Sequence, residues 1–172
     1  MASTIRTARS EDLQTIQAIE RASAQRFLGV MDAIAHDQPS PLELLAARQQ
    51  ARGLLVAEAL AGEKSTLAGF VMYRLLEQSF YIEQIDVAPA FERQRIGAAL
   101  IDAVAHSARD AGLARLTLST FREIPWNAPY YRRLGFIDMA ETDLTPGLVA
   151  VRREHLARGL DETARVFMAR NL

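Results

Sequence analysis

Hydrophobic and polar positions alternate along the 172-residue chain with two different periods. Apolar residues spaced three and four apart after Ser10 predict a first helix, and a second helix is predicted over residues 42–52, which Gly53 ends. Runs rich in aromatic and β-branched residues predict strands. These runs cover residues 4–8, 54–60, 66–76 and 80–87. Because the connections between the last three runs are short, they indicate an antiparallel meander.

The second half of the chain alternates between helix and strand patterns. The clearest helix is predicted over residues 96–111, and Gly112 ends it. Its apolar face is predicted to hold Ile96, Ala99, Leu100, Ala103, Val104, Ser107 and Ala111. Strands are predicted over 113–120, 136–142 and 165–170, with helices over 127–134 and 148–158. The crossover from residue 80 to 120 is expected to be right-handed, and the whole pattern predicts one α/β domain over residues 1–172.

Composition and charge exclude several classes of function. Hydrophobic residues make up 49% and charged residues 24%, and the net charge of −1 provides no basic field for nucleic acid or an anionic membrane. The absence of cysteine excludes disulfides, thiolate catalysis and cysteine-ligated metals. The three histidines, His36, His106 and His155, lack metal-site spacing, so no metal is expected.

The same composition gives an expectation about location and source. The sequence has neither a signal-peptide pattern nor a run of ~20 apolar residues, which predicts a cytoplasmic protein. A single lysine among 20 basic residues suggests a bacterial source with a GC-rich genome.

Residues 87–100, VAPAFERQRIGAAL, form the most informative junction of the sequence. The strand ends at Val87, and a tight loop containing Pro89 leads into the helix at Ile96. The backbone N–H groups from Arg93 to Ala98 are therefore expected to be unpaired at a helix N-terminus, where they form an anion site with the helix dipole. An ordinary turn with solvated arginines fits this segment equally well. Because the glycine fingerprints of dinucleotide-binding folds and P-loops are missing, both of those classes are disfavoured.

The junction resembles the acetyl-CoA loop of the GNAT superfamily of N-acetyltransferases. Residues 87–99 are similar to the family's Val-x-Pro, a following aromatic residue, and the signature Gln/Arg-x-x-Gly-x-Gly/Ala. In the register set by Val-x-Pro only Gly97 is retained, because Glu92 and Arg95 replace the Gln/Arg and the first Gly. A frame that starts at Gln94 satisfies the signature literally but extends into the helix.

The resemblance implies that this loop binds the pyrophosphate of coenzyme A, mainly through backbone amides. The residues concerned are Glu92, Arg93, Gln94, Arg95, Ile96, Gly97 and Ala98. It also implies that the backbone of Ile85 and Val87 binds the pantetheine arm and that the Val87 N–H polarises the thioester carbonyl. Glu92 fits beside phosphates only if its carboxylate points away or pairs with Arg93 or Arg132.

A second motif, YYRRLGF at residues 130–136, resembles the family's Tyr-x-x-x-Gly-Phe. Its spacing from the first motif and the order of the elements agree with the family topology. The two motifs together imply a single GNAT domain of the α/β (α+β) class. Such a domain has a mixed, mostly antiparallel twisted sheet of about seven strands flanked by helices, with a splayed central parallel pair.

The resemblance assigns Tyr131 as the catalytic acid and as a cofactor contact, because the family's tyrosine at this position protonates the departing thiolate. A phenol with an ordinary pKa of ~10 remains protonated at pH 7 and can serve in this way. The alternative is that Tyr131 is only a core aromatic.

Glu83 is the first candidate for the base that deprotonates the amine, and Asp86 is a weaker rival. An anchor for the acceptor amine or a surface charge is an equally good interpretation of Glu83. Strand alternation predicts Glu83, Ile85 and Val87 on one face of the strand with Asp86 opposite, unless a bulge intervenes.

Four further residues are candidate ligand contacts. Asn127 is a candidate contact of the coenzyme A arm, although it precedes Tyr131 by four residues where many family members have an asparagine seven before. Trp126, in a proline-flanked loop, could wall an acceptor pocket or plug the core. Phe27 and His36 belong to the segment that shapes acceptor pockets in the family, and they are candidate substrate contacts.

These observations predict an acetyl-CoA-dependent N-acetyltransferase acting on a primary amine of a small molecule. A protein N-terminal or lysine acetyltransferase and a non-catalytic acyl-CoA sensor are the alternatives. Neither nucleic acid nor a membrane is expected as a partner. The segment between residues 142 and 165, with its predicted helix, could cover the acceptor site, form a homodimer contact or cap the core.

Overall fold

Seven strands and six α-helices account for most of the regular structure of residues 3–172, the part of the chain that the computed structural model describes. The strands are β1 Thr4–Thr7, β2 Leu54–Ala61, β3 Lys64–Leu76, β4 Ser79–Val87, β5 Arg115–Phe121, β6 Ile137–Asp138 and β7 Arg165–Asn171. The helices are α1 Leu13–Ala24, α2 Asp32–Ala35, α3 Leu42–Gln50, α4 Ile96–Asp110, α5 Ala128–Arg133 and α6 Pro146–Ala157. None of these helices is long and apolar enough to cross a membrane.

The strands form one sheet in the order β1-β2-β3-β4-β5-β7-β6. Antiparallel pairs join β1 to β2, β2 to β3, β5 to β7, and β6 to β7. The pairing of β4 with β5 is parallel and aligns Ser79–Ile82 with Arg115–Leu118. A mostly antiparallel seven-stranded sheet with one parallel pair and flanking helices confirms the predicted fold class.

The chain divides into two compact units, and the first comprises residues 3–73 and 84–103. Its core contains residues from β2 and β3 and the apolar faces of α1 and α3. The buried members are Ala8, Leu13, Ile16, Ile19, Leu45, Leu54, Val56, Phe70 and Met72. Gly69 permits a close approach, because a Cβ there would lie 2.8 Å from the Asp86 carbonyl oxygen and 3.4 Å from side-chain atoms of Ile96 and Leu100.

The second unit comprises residues 74–83 and 104–172. In its core, Leu148 and Val151 of α6 contact Tyr81 and Phe167. The segment between β6 and β7 therefore contributes to the core, which was one of its three interpretations. Leu156 of the same helix is exposed and takes no part in this core.

Two sequence predictions need correction. The strand predicted over residues 136–142 is reduced to Ile137–Asp138, because residues 141–143 form a 3-10 turn in which the Asp143 N–H donates to the Ala140 carbonyl at 3.0 Å. The apolar face predicted for α4 is partly wrong: Ile96, Leu100 and Val104 are buried as predicted, but Ala111 is exposed and lies beyond the end of the helix. The buried face also includes Ile101, Ala105 and Ala108.

Candidate active site

Predicted site residues occur in both units, and the loop before α4 belongs to the first. After β4, residues 89–91 form a 3-10 turn that begins with Pro89, and the Phe91 N–H donates to the Ala88 carbonyl at 2.8 Å. Phe91 is buried beneath the turn, whereas the side chains of residues 92–95 are exposed. The loop is therefore anchored by its aromatic residue and open to solvent beyond it.

The backbone of this loop takes an unusual conformation. Arg93 and Arg95 have φ angles of 60° and 62°, in the left-handed region that L-residues rarely adopt. Arg95 stands where the family signature has its first glycine, and the conformation explains why glycine is suited to that position. Gly97 itself does not have a positive φ angle.

No N–H group from Arg93 to Ala98 makes a backbone hydrogen bond of standard geometry within residues 3–172, although a turn at residues 92–93 directs the Gln94 N–H back toward the preceding residues. The first helical bond of α4 is the one from the Ala99 N–H to the Arg95 carbonyl, at 3.0 Å. The N–H groups of residues 95–98, at the start of a 15-residue helix, are thus available to a ligand. Such a run, with the positive end of the helix dipole, favours a negatively charged ligand.

Glu92 does not pair with Arg93 or Arg132, the partners that the sequence suggested. Its carboxylate lies 3.7 Å from Nη2 of Arg26, in the segment after α1. Arg132 instead binds Asp138, with Nη2 at 2.8 Å from Oδ2. The Glu92 charge is therefore partly balanced by an arginine that no local motif marks.

Ile85 and Val87 are half-buried on β4, and Asp86 between them faces α1. The Ser23 hydroxyl donates to Oδ1 of Asp86 at 2.5 Å, and the Gln84 amide donates to Oδ2 at 2.6 Å. Burial raises the pKa of Asp86, and these two hydrogen bonds oppose the rise.

The other acceptor-side candidates lie in the same unit. His36 is exposed, and its Nδ1 is 2.7 Å from the Asp32 carbonyl oxygen. Phe27 is half-buried at the end of the 3-10 turn that follows α1. Their role as substrate contacts stays a prediction.

Tyr131 belongs to the second unit, where it is buried on α5. Its ring meets Tyr130 and Phe136 edge-on, with centroids 5.5 Å and 5.8 Å away. The Phe136 N–H returns to the Tyr131 carbonyl at 3.1 Å, and this tight reversal requires the left-handed φ of 87° at Gly135. The Tyr-x-x-x-Gly-Phe motif thus fixes the phenol on a short, tightly closed helix.

A buried guanidinium lies in the electrostatic environment of this phenol. Arg165 donates from Nη2 to the Ser119 carbonyl at 3.0 Å and lies 3.5 Å from the Glu162 carboxylate. Burial lowers the pKa of Arg165, and the Glu162 carboxylate together with the phenolate forms of Tyr81 and Tyr131 would oppose that change. Sequence reasoning missed Arg165, because it lies 34 positions from Tyr131 with no motif around it.

Glu83 is held in a network of charges. Its Oε1 lies 3.2 Å from Nε of Arg74, whose Nη2 lies 3.0 Å from the Glu154 carboxylate. The guanidinium carbon of Arg74 is also 6.0 Å from the centroid of the buried Tyr81 ring. The carboxylate of the first candidate base is therefore already engaged by a cation.

Asn127 precedes the first residue of α5 and does not cap the helix with its side chain. Its Oδ1 is buried and has no hydrogen-bond partner within residues 3–172. A buried amide oxygen without a donor is costly, so this atom is suited to a donor from a ligand. Trp126, the neighbouring candidate, is half-buried.

A sequence model of the acetyltransferase (GNAT) family matches residues 13–136 of this chain. The chain belongs to this family. The matched residues include both the loop before α4 and the motif around Tyr131, whereas α6 and β7 lie beyond them.

Solved structures share the GNAT fold. The N-acetylglutamate synthase of Neisseria gonorrhoeae, complexed with coenzyme A and N-acetyl-glutamate, is 18% identical to this chain with a TM-score of 0.75. The match covers 100% of this chain and 35% of the synthase, so this chain spans about a third of the length of the synthase. The PaiA N-acetyltransferase of Thermoplasma acidophilum, in complex with coenzyme A, is 17% identical over 100% of both chains with a TM-score of 0.69. The ribosomal-protein-S18-alanine N-acetyltransferase of Escherichia coli is 19% identical, covering 99% of this chain and 94% of that one, with a TM-score of 0.64. At these identities the likeness establishes the fold.

Proposed function

We propose that this GNAT acetyltransferase transfers the acetyl group of acetyl-CoA to a primary amine of a small molecule. The observation that carries the proposal is the run of N–H groups from Arg93 to Ala98, which make no backbone hydrogen bond of standard geometry within residues 3–172 and lie at the exposed start of α4. The diphosphate of coenzyme A supplies oxygen acceptors with the charge that such a site favours. The exposed side chains of Arg93 and Arg95 add positive charge to the same loop.

The rest of the cofactor is assigned to residues that fit its chemistry. The backbone of Ile85 and Val87 binds the pantetheine arm, and the unsatisfied Oδ1 of Asn127 accepts a hydrogen bond from one of its amide groups. The Tyr131 hydroxyl donates a proton to the departing thiolate. The buried charge of Arg165, which interacts with Tyr131, then stabilises the phenolate that proton donation leaves.

A small-molecule acceptor is supported by the complex of the Neisseria gonorrhoeae enzyme with N-acetyl-glutamate. Protein acetylation is a second candidate, which the likeness to the S18-alanine N-acetyltransferase supports. Thiol release from acetyl-CoA should be measured with a panel of alkylamines, amino acids and amino-terminal peptides. Turnover with peptides alone would reject the small-molecule acceptor, and no turnover with any amine would favour an acyl-CoA sensor.

The cofactor loop has its own test. We expect Gly97→Leu to weaken coenzyme A binding at least roughly tenfold by calorimetry, because a side chain there obstructs the close approach of a ligand to the backbone. Ala90→Leu introduces the same side chain at an exposed position of the preceding turn and should retain the affinity. Equal affinities for the two variants would reject the assignment of the loop.

A further inference from the structure

Within residues 3–172, the carboxyl group of Asp86 accepts hydrogen bonds from two neutral donors and from no cation. Ser23 Oγ donates to one oxygen at 2.5 Å and Gln84 Nε2 donates to the other at 2.6 Å. No cationic side chain of residues 3–172 lies within ion-pair distance of it. The charge of Arg26 acts on Asp86 from a greater distance, and the Arg26 guanidinium donates hydrogen bonds to the carbonyl and hydroxyl oxygens of Ser23. The carboxylate is thus oriented by two elements without being neutralised by either.

Resting on the proposed function, we infer that Asp86 is the base that takes the proton of the acceptor's ammonium ion, with Ser23 and Gln84 as its positioning residues. Glu83, the first candidate from the sequence, is already in contact with the Arg74 guanidinium. A carboxylate in an ion pair must give up that interaction when it takes a proton, whereas protonation of Asp86 weakens two hydrogen bonds from neutral donors and breaks no ion pair.

The surroundings of Asp86 shift its pKa upward from that of an ordinary aspartate. Burial raises its pKa, while the hydrogen bonds from Ser23 and Gln84 and the charge of Arg26 oppose the rise. Glu20 on α1 faces the same cluster, and burial together with the charge of Asp86 raises the pKa of Glu20 as well. Glu92 balances part of the Arg26 charge from the loop side, at 3.7 Å. A base whose pKa moves toward the working pH transfers protons more effectively than an ordinary carboxylate.

Each proton transfer of the reaction then has a donor and an acceptor. The ammonium nitrogen gives one proton to the Asp86 carboxylate, and the free amine attacks the thioester carbonyl carbon, forming the C–N bond. When the C–S bond breaks, the thiolate takes a proton from the Tyr131 hydroxyl. The nitrogen loses its remaining extra proton, which restores Tyr131 through solvent, and Asp86 releases its proton to solvent. The net change is one amide, one free thiol and one proton released.

The test compares full-length wild type, Asp86→Asn and Glu83→Gln with the best alkylamine of the panel, from pH 6 to the pKa of that amine. At pH 7 we expect Asp86→Asn to lower kcat/KM by roughly 10²- to 10³-fold. The ratio of the wild-type kcat/KM to that of Asp86→Asn should shrink about tenfold for each unit by which the pH rises, because solvent then deprotonates the amine before it binds. Glu83→Gln should show no such trend. A defect of Asp86→Asn that is independent of pH, or a pH-dependent defect of Glu83→Gln instead, overturns the inference.

Two further measurements separate chemistry from folding. The ¹³Cγ resonance of Asp86 should titrate above the ordinary aspartate pKa of ~3.9, and Ser23→Ala should raise that pKa further by removing a donor to the charged form. Titration at or below the ordinary value contradicts the assignment without any turnover assay. Coenzyme A affinity should be the same in all variants. If wild type does not bind coenzyme A, the proposed function fails; if it binds and turns over while Asp86→Asn is normal, only this inference fails.

Discussion

Arg93 and Arg95 share one left-handed backbone conformation, with φ angles of 60° and 62° on either side of Gln94. The left-handed region costs an L-residue roughly 1 kcal/mol or more. The strain is located in the loop whose N–H groups from Arg93 to Ala98 make no backbone hydrogen bond of standard geometry within residues 3–172, so this conformation leaves donors for a ligand.

Because of this strain, we expect glycine to be at least as stabilising as alanine at position 95, which is the reverse of their usual order in a helix. Glycine adopts a positive φ freely, so Arg95→Gly should unfold at least as late in urea as Arg95→Ala. At Arg109, an exposed position within α4, the order should be the usual one, with alanine more stable than glycine by about 1 kcal/mol. If alanine exceeds glycine by that amount at both positions, Arg95 does not occupy the left-handed region in solution.

A second prediction concerns Arg6, which lies 2.7 Å from Asp12 and 2.6 Å from Glu58. Arg6→Met leaves the buried Asp12 carboxylate without its main partner, and we expect a loss of about 1–3 kcal/mol in the free energy of unfolding. Arg9→Met breaks the exposed contact with Glu11 and removes a smaller charge contribution to Asp12, so it should cost less than about 0.5 kcal/mol.

The pH dependence of the same pair has a definite sign. The hydrogen bond from Arg6 is the main cause that lowers the pKa of Asp12 in the folded protein. The stabilisation is therefore present above the unfolded pKa of ~3.9 and is lost as the pH falls through the folded value. Arg6→Met should unfold with a weaker dependence on acid pH than wild type, and an unchanged dependence would show that the pair contributes nothing there.

Composition and spacing sufficed to predict most of the fold, because strands such as β2 and β3, buried without interruption over residues 54–57 and 68–73, appear in the sequence as short continuous apolar runs. The same reasoning located the loop before α4. It could not foresee the conformation of Arg95, since arginine gives no local signal for a positive φ. It also missed the Ser23–Asp86 hydrogen bond, because residues 63 positions apart come together only through tertiary packing. Tyr131 was recognisable because its motif is local, whereas the environment supplied by Arg165 was not.

A third prediction concerns His155, which is buried with its Nδ1 2.6 Å from the Glu162 carboxylate. Burial is the main cause that lowers the pKa of His155, and the charge of Arg165 adds to it. The unfolded chain therefore binds more protons below pH ~6.5, and stability should fall as the pH drops below that value. His155→Gln should flatten the decline between pH 7 and 5 in thermal unfolding. His106→Gln, at an exposed histidine beside Asp110, should leave the decline in stability unchanged. If both variants flatten the decline equally, the cause is the loss of any histidine charge and not the burial of His155.

The last prediction concerns Tyr131 as the proton donor to the departing thiolate. Tyr131→Phe keeps the ring that contacts Phe136 and removes only the hydroxyl, so stability and coenzyme A affinity should stay close to wild type. We expect kcat to fall by roughly 10²- to 10³-fold, the range for loss of a positioned acid. In wild type, kcat should fall at high pH as the Tyr131 phenol loses its proton. This fall should be absent from the pH profile of Tyr131→Phe. Tyr130→Phe is the matched control, because it removes the hydroxyl of the adjacent, half-buried tyrosine. Full activity of Tyr131→Phe across the pH range, or an equal loss in both variants, would reject the acid role and leave Tyr131 as a packing residue.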